Sequence, residues 1–167
     1  MRLFVAIRFT PEVQNTLIDC IKELKSSSLS GNFTRPENLH LTLAFIGETS
    51  NLNAAKKCMD AISCGKFDIT LKGFGRFGDL WWVGLAENPK LSMLVKDLQQ
   101  RLRDCGFNIS TRPFRPHITI AREVKTVSDQ IHLNVPNISM TVDRISLMKS
   151  ERIEGKLIYT QLYAKHL

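Results

Sequence analysis

Two short stretches carry side chains able to move protons and hold an anion: Leu39-His40-Leu41-Thr42-Leu43 and His117-Ile118-Thr119-Ile120. Each is a His-x-Thr-x pattern with aliphatic fillers. Side chains alternate between the two faces of an extended strand, so His40 shares a face with Thr42, and His117 with Thr119, while the leucines and isoleucines share the other. Each stretch therefore buries an aliphatic face and presents an imidazole and a hydroxyl on the opposite one. Two such strands facing each other would form a pocket of four polar groups.

Two histidines with ordinary pKa values near ~6.5 can hold opposite protonation states around neutrality, which supplies one base and one acid. Hydroxyls two residues further on are placed to donate to an oxyanion. The set suits in-line hydrolysis of a phosphodiester. One imidazole removes a proton from water, the other protonates the departing oxygen, and Thr42 and Thr119 hold the nonbridging oxygens. A cation would help, and Arg35, Arg112, Arg115 and Arg122 lie near the motifs. Arg122 is the preferred candidate, although strict alternation sets it on the face opposite His117 unless the strand ends or twists there. His132, in the alternating run Ile131-His132-Leu133-Asn134-Val135, and His166 read as outward polar residues. The chemistry requires no metal; the two histidines with Glu48 or Glu37 could in principle make a site.

The elements that must position these groups follow from periodicity and punctuation. Residues 2–9 read as a strand. Thr10 caps a helix with Pro11 at its first position, and Val13, Leu17, Cys20, Ile21 and Leu24 form its apolar stripe. Ser26 to Gly31 ends that helix, and Arg35-Pro36-Glu37-Asn38 leads into a strand over 39–46. A second helix fits 52–63, and a strand 67–71. Gly73-Phe74-Gly75-Arg76-Phe77-Gly78 matches a dinucleotide-binding glycine pattern, but β-formers rather than a helix follow it, so it reads as a glycine-rich turn between strands. Asn88 and Pro89 open a third helix with Leu91, Leu94, Val95, Leu98 and Leu102 on one face. Strands are expected at 117–122, 131–135, 138–148 and 157–165. The order strand, capped helix, Arg-Pro loop, His-x-Thr strand occurs over 2–46 and again over about 80–122. Two strand–helix–strand lobes related by an approximate two-fold axis would set the motifs about a central cleft.

At 167 residues and 43% hydrophobic content, the chain fits one two-lobed domain, 1–167. The balance of 23 basic to 16 acidic residues gives +7 and favours an anionic partner such as RNA or phosphate. No apolar run approaches the roughly 18 residues of a membrane span, and the N-terminal apolar run is too short for a secretion signal. A cytoplasmic monomer away from membranes is expected. Cys20, Cys58, Cys64 and Cys105 show no CxxC spacing and read as buried, reduced thiols.

Arg2-Leu3-Phe4-Val5-Ala6-Ile7, Arg35-Pro36-Glu37-Asn38-Leu39-His40-Leu41-Thr42-Leu43-Ala44-Phe45-Ile46-Gly47-Glu48 and Arg112-Pro113-Phe114-Arg115-Pro116-His117-Ile118-Thr119-Ile120-Ala121-Arg122 together resemble the two-histidine phosphoesterases. The branch resembled is the LigT-like RNA 2′,3′-cyclic phosphodiesterases, also called 2′-5′ RNA ligases, and the likeness spans nearly the whole chain in order. It implies an α+β, bilobal fold of two pseudo-symmetric lobes with mainly antiparallel sheets, helices on the outer faces and a central cleft. It further implies hydrolysis, without metal or other cofactor, of a terminal 2′,3′-cyclic phosphate on RNA to a 2′-phosphate, reversible in principle as ligation. By position, His40 would be the general acid, His117 the general base, and Thr42, Thr119 and Arg122 the phosphate-holding residues. The alternatives are a basic module that binds RNA ends without turnover, or hydrolysis of small cyclic phosphates or 2′-5′ oligonucleotides.

Overall fold

Each helix starts where a polar side chain replaces the missing backbone acceptor. In the computed structural model, which describes residues 1–167, the Thr10 hydroxyl accepts from the Val13 amide at 3.4 Å and Pro11 opens α1, Pro11–Ser26. Asn51 caps α2, Leu52–Asp60, and Asn88 caps α3, Pro89–Asp104, which Pro89 opens. The buried faces of α1 and α3 are the two expected stripes, residue for residue.

Nine strands pair antiparallel throughout. They are β1 (Arg2–Ile7), β2 (Ser28–Phe33), β3 (Leu41–Glu48), β4 (Phe67–Phe77), β5 (Leu80–Leu85), β6 (Ile118–Thr126), β7 (Ser139–Val142), β8 (Arg144–Ile153) and β9 (Lys156–His166). One sheet has the order β3-β1-β8-β9 and the other β2-β6-β5-β4-β7. A single contiguous core of 36 buried residues runs behind both sheets. The helices are exchanged relative to the repeat: α1 packs on β2 and β6 of the five-stranded sheet, and α3 on β3 of the four-stranded one.

Five expectations need correcting, four of them about strands and turns and one about the thiols. The segment after α1 is not merely a helix end, because Ser28–Phe33 forms the edge strand β2 against β6. The run 131–135 is no strand; it is extended chain whose Leu133 is buried and whose Asn134 amide donates to the Glu23 carboxylate. The single strand expected over 138–148 is two, β7 and β8. The glycine-rich segment belongs to β4 itself, and only Gly78, at φ 62°, lies in the turn to β5. Gly75 is required there because the Trp82 ring lies on it, and a Cβ at that position would stand 2.3 Å from a ring carbon. Of the thiols, Cys20 and Cys58 are buried, but Cys64 is half-buried and Cys105 exposed. No helix is long and apolar enough to cross a membrane.

Candidate active site

His40 and His117 each sit one residue before their strand, at the same place relative to β3 and β6. The crossover between sheets brings them together. Thr34 continues the pairing of β2, its amide donating to the Ile120 carbonyl at 2.9 Å and its hydroxyl to the Thr119 carbonyl at 3.1 Å. Six residues later the same chain presents His40 at the edge of the other sheet. Backbones of β3 and β6 approach within 8 Å between Cα atoms.

Both rings are held alike. His40 Nδ1–H donates to the Asn38 carbonyl at 2.7 Å, and His117 Nδ1–H to the Arg115 carbonyl at 2.8 Å. A carbonyl cannot donate, so each Nδ1 carries the hydrogen and each Nε2 remains for chemistry, accepting when the ring is neutral and donating when it is charged. His40 Nε2 accepts from the Thr42 hydroxyl at 2.9 Å. Phe4 and Tyr159 flank the His40 ring at centroid distances of 4.9 and 5.1 Å, and Phe77 stands edge-on to His117 at 5.4 Å. Trp82, seated on Gly75, supports Phe77 at 5.4 Å.

The difficulty with Arg122 is resolved by a β-bulge. In β6, Thr119 pairs with Trp82 and Ala121 with Trp81, so Ile120 is an extra residue. Ile120 and Ala121 both point into the core, at 0% exposure, and Arg122 is returned to the face of His117 and Thr119. No carboxylate pairs with it. The same bulge occurs in β3, where Thr42 pairs with Ala6 and Ala44 with Val5, leaving Leu43 extra.

Arg35 is occupied elsewhere: its guanidinium donates to the Leu157 carbonyl and pairs with Glu37 at 3.1 Å. The Asn38 amide, nearly buried, donates to the same carbonyl at 3.0 Å, so the turn that holds His40 Nδ1 is also bonded to β9, which carries Tyr159. Asn38→Ala is expected to cost about 1–2 kcal/mol, lowering Tm by several degrees in a thermal melt. Arg112 and Arg115 are exposed. Glu37 is held by Arg35 and Glu48 by the N-terminal amine at 3.3 Å, and neither joins the histidines in a metal-binding cluster. His132 is exposed, its ring edge-on to Phe74.

Sequence reasoning named both histidines, both threonines and Arg122 as candidates; around the two rings the structure also sets Phe4, Phe77, Tyr159 and Asn38, which sequence reasoning did not name. The aromatics it had considered for base stacking lie elsewhere: Phe9 packs on the core, Phe74 stacks on Trp81, and Trp82 is half-buried beneath Phe77. No periodicity marks Tyr159, since β9 is half-exposed along most of its length.

Burial pushes His40 below the ordinary histidine value, and the nearby charges of Arg122 and His117 add to this, against the Asn38 carbonyl, which favours the charged ring. His40 Cε1–H is therefore expected to titrate below about 6.5 by NMR in the free protein, and to move upward in Arg122→Ala and on adding inorganic phosphate. The linked stability has the matching sign: the contribution of neutral His40 is complete above about pH 6.5 and is lost as the pH falls through its lowered value.

The family model described as the 2′-5′ RNA ligase superfamily matches residues 9–154. The RNA 2′,3′-cyclic phosphodiesterase of Thermotoga maritima is 31% identical over 98% of this chain and 94% of its own. That of Escherichia coli is 31% identical over 96% and 93%. Crystal structures of E. coli LigT, in apo form and complexed with 3′-AMP, each superpose with a TM-score of 0.87 at 30% identity, covering 99% of this chain and 96–97% of theirs.

Proposed function

This chain belongs to the 2′-5′ RNA ligase superfamily, and from that premise we propose that it is an RNA 2′,3′-cyclic phosphodiesterase that opens a terminal cyclic phosphate to a 2′-phosphate by paired histidine catalysis. The supporting observation is the duplicated ring setting: both Nδ1–H groups are tied to carbonyls two residues upstream, which turns both Nε2 atoms over to chemistry, that of His40 beside the Thr42 hydroxyl.

In this reading His117 Nε2 takes a proton from water as the water oxygen attacks phosphorus. The P–O3′ bond breaks in line with that attack, and the proton on His40 Nε2 passes to the leaving O3′. Thr42 turns its hydroxyl from His40 to one nonbridging oxygen, Thr119 donates to the other, and Arg122 stabilises the charge gathering on phosphorus. The low proton affinity of free His40 suits an acid. A bound phosphate anion offsets the repulsion from Arg122 and restores the proton, which the buried ring then gives up readily. These groups run in reverse would join a 2′-phosphate to a hydroxyl, so ligation is part of the same proposal. The residues 1–167 act as one two-lobed unit, as a monomer and without metal.

The test is a short RNA ending in a 2′,3′-cyclic phosphate, incubated with the protein in excess EDTA and mapped for the phosphate that remains. A 2′-phosphate is expected. A 3′-phosphate would reverse the in-line geometry, and turnover only after adding a divalent ion would sink the metal-free mechanism. No turnover under any condition would leave an RNA-end binding module. The +7 charge favours RNA over a small cyclic phosphate, so kcat/KM should rise with chain length and that advantage should shrink with salt.

A further inference from the structure

The extra residues of the two bulges, Leu43 in β3 and Ile120 in β6, stand at equivalent places, each three residues after its histidine. In β6 the main chain satisfies the carbonyl of that residue, because Thr34 at the end of β2 donates its amide to Ile120. Strand β3 has no such neighbour. It is the edge of its sheet, with β1 on one side and no strand on the other, and α3 packs there instead. From that helix the Gln99 side-chain amide donates to the Leu43 carbonyl at 2.9 Å. One side chain thus takes the place that a strand fills in the other sheet. The acceptor end of the same amide is also used. Gln99 Oε1 accepts from Arg103 Nη2 at 3.2 Å, and the Arg103 guanidinium donates to the Ser110 carbonyl at 2.7 Å and to the Ile109 carbonyl at 3.4 Å. Ile109 and Ser110 lie in the loop between α3 and β6 that carries His117, and the Ser110 hydroxyl accepts from the Arg112 amide at 3.2 Å.

We propose that Gln99 is a positioning residue: it fixes where β3 bulges and, through Arg103, ties that bulge to the loop carrying His117, so that the two histidines keep one separation. The inference rests on the phosphodiesterase reading above and concerns what holds its two histidines to each other. Gln99 bonds neither to a histidine nor to a threonine hydroxyl, and acts only through the backbone that bears His40 and Thr42. A bulge stays where the neighbouring groups pin it. In β6 two strands do so, whereas β3 is paired to β1 alone, and that pairing shifts register a second time between Leu3 and Phe4. Were the extra residue taken up two places earlier, Thr42 would turn from the His40 face toward the core and slide by one residue, about 3.3 Å. The bond from Gln99 favours the place that keeps His40 and Thr42 on one face. Its continuation through Arg103 sets that place against the other motif, and a reaction between groups on two sheets depends on such a setting.

The experiment measures kcat and KM on adenosine 2′,3′-cyclic phosphate, together with Tm, for wild type, Gln99→Met, Gln99→Glu, Gln99→Lys and Gln100→Met. Gln99→Met removes both bonds, and Gln99→Glu removes the donor to Leu43 while keeping an acceptor for Arg103. Both should lower kcat about tenfold with KM within about twofold of wild type, and Gln99→Glu should do so with Tm unchanged. Gln99→Lys returns a donor to the Leu43 carbonyl and should recover most of the lost kcat. Gln100, which bonds to Asp104 on the exposed side of the same helix, serves as the control, and Gln100→Met should leave kcat alone. Unchanged kcat in Gln99→Met and Gln99→Glu, a Gln99→Lys as slow as Gln99→Glu, or losses that follow Tm rather than the presence of a donor overturn the proposal. If wild type does not turn over the cyclic phosphate or a short RNA that ends in one, the phosphodiesterase reading fails by itself. The register of β3 is then read by NMR in the free protein. Loss of the cross-strand contacts between Ala6 and Thr42 in Gln99→Met and Gln99→Glu but not in Gln99→Lys supports the positioning role, and an unchanged pattern overturns it.

Discussion

His117→Ala is expected to lower kcat/KM for a cyclic phosphate by about 10²- to 10⁴-fold, and His40→Ala by a similar factor, since each removes one proton-transfer partner from the transition state. The double variant should lose little more than either single one, because a base without an acid, or the reverse, leaves the step half-catalysed. Which histidine does which cannot be read from the pH profile of the wild type: an acid and a base with exchanged pKa values give the same bell. The leaving group separates them. On an aryl phosphodiester that expels p-nitrophenolate, which departs without protonation, His40→Ala should recover to within about tenfold of wild type while His117→Ala stays impaired. The opposite pattern exchanges the roles. Equal loss of both variants on both substrates would mean that the imidazoles only bind phosphate.

Arg122→Ala is expected to reduce kcat/KM by about 10²- to 10³-fold, the loss appearing mainly in kcat because in the proposed mechanism the guanidinium stabilises charge that builds on phosphorus during reaction. Arg122→Lys should recover part of this, as a point charge without the planar fork. The side chain is exposed and unpaired, so circular dichroism and Tm should be those of wild type. A change confined to KM would make Arg122 a docking residue for the RNA backbone rather than a participant in the phosphate chemistry. The same variant carries an internal check, for it should also raise the titration midpoint of His40, whose proton Arg122 repels.

The repeated motif, the helix caps and the helix stripes were legible because each leaves a local mark: a polar cap, a proline at the first turn, apolar residues at helical spacing. Strand β2 was not. Ser28-Leu29-Ser30-Gly31-Asn32-Phe33 buries almost nothing, and its place is set by backbone pairing with β6, which has no sequence period. The run 131–135 misled in the opposite sense, since it alternates like a strand but finds no strand to pair with, lying instead over α1 with Leu133 buried. For Arg122, strict alternation left its face open to a break in the strand, and the bulge at Ile120 is that break. Leu43-Ala44 and Ile120-Ala121 are the signal in retrospect: two adjacent apolar residues interrupting an alternating run mark the extra residue of a bulge. The roles of the two histidines came from chemistry and from resemblance, whereas Tyr159 and Asn38 owe their places to tertiary bonds across the chain.

The pairing of β1 with β8, residues 2–6 against 146–150, has a consequence for how the protein is made. Strand β1 lies inside its sheet, between β3 and β8, so when it leaves the ribosome its second partner has not yet been synthesised. Until β8 arrives, β1 and β3 can form only a two-stranded edge with its apolar face and one row of backbone groups open, the kind of surface that recruits other chains. The His117 sheet can assemble earlier, since all its strands precede β8. A translation arrest before residue 144 should therefore release an aggregation-prone nascent chain, and refolding should be slowest at the closing of the His40 sheet, the step with the longest loop to bring together.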